Sequence, residues 1–157
     1  MRNMRKFLAL SFIAAISLSG LSFVMRVDPC NIVELRKASK SSLDPYNYDS
    51  QLLKKITITK KPITLETEIP LSLFGKYRMV FNSTGMPVKI PIVVYNKEQS
   101  AKKRELIWSN ESNAESEKMI VYDPAPHTRR IFVDIEVPSD SLNQKIKGCI
   151  YMVLGYK

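Results

Sequence analysis

From Leu53 to the end of the chain, apolar residues recur at every second position, the period of a strand with one buried face. Ile56 and Ile58 alternate with Lys55, Thr57 and Thr59. Beyond Lys60, Lys61 and Pro62, the residues Ile63, Leu65, Thr67 and Ile69 alternate with Thr64, Glu66 and Glu68. A third strand is expected over Lys76 to Asn82, with Tyr77, Met79 and Phe81 on one side, and Asn82 to Pro87 reads as a turn. Val88, Ile90, Ile92 and Val94 form a further inward row. Pro91 interrupts it with a residue that has no N–H, which predicts an edge strand or a bulge. Short strands follow at Leu106 to Trp108 and Met119 to Tyr122, set between polar loops. The last two are Arg130 to Val137 and Ile146 to Tyr156, and in the latter Ile150, Met152 and Leu154 oppose Cys149, Tyr151 and Val153.

About eight short strands in roughly 105 residues predict an all-β fold, an antiparallel β-sandwich of about 7–8 strands. No intervening segment is long enough for the helical crossover that parallel neighbours require. The reading divides the chain into a leader over 1–25, a short helix and linker over 26–52, and the sandwich over 53–157. Asp28 followed by Pro29 predicts a helix start, with Asp28 as N-cap and about two turns over CNIVELRKA. Lys40 to Ser50 reads as a linker rich in turn formers.

Residues 1–25 have a different character. Arg2, Arg5 and Lys6 precede a 19-residue stretch, Phe7 to Met25, without a charged side chain. This is the layout of a secretory signal peptide or a signal anchor, a transmembrane helix if retained. As a helix the stretch would be roughly 28 Å long, enough to cross a bilayer. Small residues at Ser17 and Ser19, or at Gly20 and Ser22, offer cleavage sites, and removal is the favoured reading. The expected location is therefore exported, periplasmic or extracellular, with anchoring by residues 7–25 as the alternative. In an oxidising compartment Cys30 and Cys149 are expected to form a disulfide.

The net charge of +9 shrinks once the leader is set aside: 21 cations then face 15 acids, a net +6. That value is ordinary for a small domain, and with export it argues against a nucleic-acid partner. The pairs Lys54–Lys55, Lys60–Lys61 and Arg129–Arg130 and the run Lys102 to Arg104 fall at strand ends and loops. There they guard sheet edges, or draw the chain to an anionic membrane surface.

Candidate chemistry is sparse. One His and two Cys predict no metal site, and five Gly leave no phosphate-cradling loop, so no cofactor is expected. His127 with Asp123 is the nearest approach to a catalytic pair, without a nucleophile motif beside it. Glu66 with Glu68 and Asp134 with Glu136 read as the wet faces of strands. The expectation is a protein that is not an enzyme and binds another envelope or extracellular protein, in an accessory, adaptor or inhibitor role. Its partner-binding residues are expected at Trp108 and the loops beside it, with Arg104, Tyr95 and Tyr122. The alternatives are a carbohydrate-binding module for envelope glycans, with Trp108 and Tyr95 as stacking rings, and behind it a hydrolase using His127 with Asp123. Asn82-Ser83-Thr84 and Asn110-Glu111-Ser112 match the N-glycosylation pattern.

Overall fold

A computed structural model describes residues 28–140 and 145–157; the predicted leader lies outside them. Eight strands form two antiparallel sheets of four. They are β1 (Asn47–Thr57), β2 (Ile63–Pro70), β3 (Tyr77–Asn82), β4 (Ile92–Tyr95), β5 (Leu106–Ser109), β6 (Met119–Tyr122), β7 (Arg130–Val137) and β8 (Lys147–Tyr156). The order is β1-β8-β3-β6 in one sheet and β2-β7-β4-β5 in the other. The first strand thus pairs with the last, the second with the seventh, and so inward to β4 with β5: a ribbon wound into a jelly roll. Most contacts are long-range in sequence, so no single strand reveals this order.

The alternation sorts the side chains as expected. Met79 and Phe81 of β3, Ile131, Val133 and Ile135 of β7, and Ile150, Met152 and Leu154 of β8 all enter the core between the sheets. The opposite face of the first sheet is not wet. Val80, Cys149, Tyr151 and Val153 are buried there under a helix, α1 (Ile32–Leu43), through Leu35 and Leu43. Among the described residues the architecture is therefore one helix laid on two sheets.

The N-terminal segment departs from its reading. The helix is capped by Asn31, whose side chain accepts from the Val33 N–H at 3.0 Å. Asp28 forms a turn one step earlier, its carboxylate accepting from the Cys30 N–H at 3.0 Å. The helix runs three turns and stops at Leu43, because Pro45 bars Asp44 from the helical region. The stretch read as linker is consequently helix up to Leu43 and strand from Asn47, and β1 begins six residues before Leu53. Cys30 and Cys149 are disulfide-bonded, which ties the turn before α1 to the helix-covered face of β8.

Pro91 is also placed differently. It stands just outside β4, and β4 lies inside its sheet between β7 and β5. Asn110 explains how the ladder tolerates it. The Asn110 side chain accepts from the Ile92 N–H at 2.9 Å and donates to the Ile90 carbonyl at 3.1 Å. An amide side chain thereby replaces the pairing that Pro91 interrupts.

Candidate functional site

All four residues expected at the partner site gather around β5, in two groups on opposite sides of its sheet. Trp108 lies on β5 and turns inward. Its ring stacks against Phe81 with centroids 6.1 Å apart and against Tyr122 of β6 at 5.0 Å. The stack closes the flank of the sandwich where the edge strands β5 and β6 meet. Burial raises the pKa of the Tyr122 phenol above its ordinary value.

The second group lies on the outer face of the sheet. Arg104 stacks over the Tyr95 ring, 3.7 Å from its centroid. Its guanidinium donates to both oxygens of Asp134 at 2.8 and 2.9 Å and to Glu66 Oε2 at 2.8 Å, while Nε donates to the Lys97 carbonyl at 2.8 Å. Asp134 is 2 % exposed, so Arg104 neutralises a carboxylate that is otherwise cut off from water. The hydrogen bond to Asp134 raises the Arg104 pKa further, against the opposing pull of burial. Gln99 adds a backbone N–H to Glu66 at 2.6 Å. Together these bonds fasten the β4–β5 loop onto the sheet.

The exposed groups at this flank are different residues. Leu106 is 60 % and Ile107 42 % exposed on β5, and Val121 is 42 % exposed on β6. Leu106 sits opposite Tyr95 in the ladder and Trp108 opposite Val94, so Ile107 is the extra residue of a bulge. Neither β5 nor β6 carries a charged side chain, whereas the edge strands across the molecule carry Lys54 and Lys55 on β1 and Glu66 and Glu68 on β2. Among the described residues the outer edge of β5 has no partner strand. One clue to Leu106 and Ile107 was present in the sequence: in a strand of four residues, three large apolar side chains cannot all face inward.

The other candidates are separate. Tyr95 and Trp108 do not meet, so they form no shared stacking platform among the described residues. Asp123 accepts both its bonds from Arg78, at 2.8 Å each. His127 is exposed, with Nδ1 3.2 Å from the Leu73 carbonyl oxygen. Among the described residues no cluster of three or more His, Cys, Asp or Glu could hold a metal, and no helix is long and apolar enough to cross a membrane.

No protein-family model matches the chain, and no curated protein matches it significantly.

Proposed function

We propose that the chain is an exported, non-enzymatic β-sandwich that binds another envelope or extracellular protein through the edge of β5. The observation that carries this reading is the uncharged edge with Leu106 and Ile107 exposed, where other edges of the same molecule bear lysines and glutamates. An extended segment of a partner laid along β5 would gain main-chain hydrogen bonds, and Leu106 and Ile107 would supply apolar contacts. Trp108, Tyr122, Arg104 and Tyr95 hold that edge in place from its two sides. Export is supported by the sequence of residues 1–25 and by a disulfide, which suits an oxidising compartment such as the periplasm or the extracellular space.

The test is capture of cross-linked partners by the exported protein and by the double variant Leu106→Lys, Ile107→Lys, which places charges on the edge. Capture is expected to fall about tenfold or more, because strand addition is blocked by edge lysines. Thr57→Lys on β1 serves as the control and is expected to leave capture unchanged. Equal capture by all three proteins would remove β5 from the site.

A further inference from the structure

The outer face of the β1-β8-β3-β6 sheet has a second feature. Between α1 and the strands β1 and β8 lies a half-open cleft of about 460 Å³. That is within the range of small-molecule sites, about 300–1,000 Å³. Its floor is Tyr151, Val153 and Leu43, all buried, and its walls are Val33 and Tyr48, which stand 64 % and 53 % exposed. The polar groups of the floor are internally satisfied. Tyr151 Oη donates to Gln51 Oε1 at 2.7 Å, and Arg36 Nε donates to the same oxygen at 2.9 Å.

The lining is thus apolar, and the helix side of its rim is cationic. Arg36, Lys37 and Lys40 border the cleft, and Lys37 and Lys40 enter no ion pair among the described residues. Glu34 is the one acid on α1 and does not border the cleft. An apolar trough bordered by unneutralised cations is complementary to a molecule with an aliphatic tail and a negative head.

We propose that this cleft binds a free fatty acid, its chain laid over Tyr151, Val153 and Leu43 and its carboxylate held by Lys37 and Lys40. A single acyl chain suits the trough because Val33 of α1 and Tyr48 of β1 line an apolar floor beside the cationic rim. The site is separate from the β5 edge, so failure of one leaves the other standing.

The probe is dodecanoate carrying a diazirine on its chain, photolysed with the protein as the cell makes it, and the labelled peptides are mapped by mass spectrometry. Labelling is expected on the peptides holding Val33, Leu43 and Tyr151, competed by plain dodecanoate and not by dodecyltrimethylammonium. The variant Lys37→Glu, Lys40→Glu, altered only at exposed helix positions, should lose about fivefold of the labelling, the scale of two partly screened surface charges. Its circular dichroism should be unchanged. Equal competition by the cationic amphiphile, undiminished labelling of the variant, or label confined to residues 7–25 would each overturn the assignment. Retention on phosphatidylglycerol vesicles without any dodecanoate label would overturn it too, and would give the cations to a membrane surface.

Discussion

Asn110 and Asn82 are both almost inaccessible, at 1 % and 0 % exposure, and each bonds through both its amide oxygen and its amide nitrogen. The Asn82 amide donates to the Leu35 carbonyl at 3.3 Å and to Ser39 Oγ at 3.1 Å, and its oxygen accepts from Thr84. Each heads a glycosylation triplet, yet in the folded chain neither amide nitrogen is open to a sugar. In the folded chain both amides serve the packing. Asn110→Ala should cost about 1–3 kcal/mol, the penalty for leaving a buried N–H and carbonyl unpaired beside Pro91, measured by urea unfolding. Tyr122 gives a residue-scale prediction in pH. Burial raises its folded pKa above the 10.0 of the unfolded chain, so its contribution is complete below pH 10 and is lost as pH rises through the folded value. The unfolding midpoint should accordingly fall as pH rises above about 10, and Tyr122→Phe should flatten part of that fall. Tyr151, raised by burial in the same direction, adds to the fall.

At the scale of elements, Arg104 decides whether the β4–β5 loop is part of the sheet or a tether hanging from it. Arg104→Ala would strand the Asp134 carboxylate in a dry site and should cost about 3–5 kcal/mol. Hydrogen exchange should then show the 96–105 loop opening before β7 does. A fall below 1 kcal/mol, about what an exposed pair gives, would mean water reaches Asp134. Such elements differ in how readable they were. The rows of β7 and β8 were plain because both bury a full alternate set of aliphatic residues. The helix was only half visible, since its buried stripe is Leu35, Ser39, Leu43, and the polar centre of that stripe answers the Asn82 amide across the sheet. The start of β1 was hidden for a related reason. Residues 47–50 are exposed on an edge strand, so no aliphatic period marks them. Trp108, Arg104, Tyr95 and Tyr122 were legible as candidates but their packing was not, because an aromatic or an arginine near a strand reads alike whether it faces solvent or braces its own sheet.

The sandwich is held by the pairing of its first strand with its last, since β1 lies beside β8, and the disulfide adds a second tie on the helix-covered face of β8. The two ties do different jobs. The strand pair belongs to the sandwich, whereas the bond from Cys30 to Cys149 holds the turn that launches α1. Gly85 shows how closely the layers meet there: a Cβ on it would lie 2.5 Å from Cys149 Sγ and 2.8 Å from the Pro29 carbonyl oxygen. Cross-linking residues 119 apart removes chain entropy from the unfolded state worth about 4–5 kcal/mol, of which removal of a native bond typically costs 2–5. Cys30→Ala with Cys149→Ala should therefore lower stability by about 2–5 kcal/mol in denaturant unfolding. The location of the damage distinguishes a loss confined to the unfolded ensemble from one that also loosens the native layer. If the bond acts only on the unfolded chain, α1 and β7 amides lose protection equally; if it also clamps the helix, α1 exchanges first while β7 stays protected. The geometry favours the second outcome, because α1 has only Leu35 and Leu43 as buried apolar anchors and Cys30 stands at its open end. The loss of protection should then run from Ile32 toward Leu43, starting at the freed end.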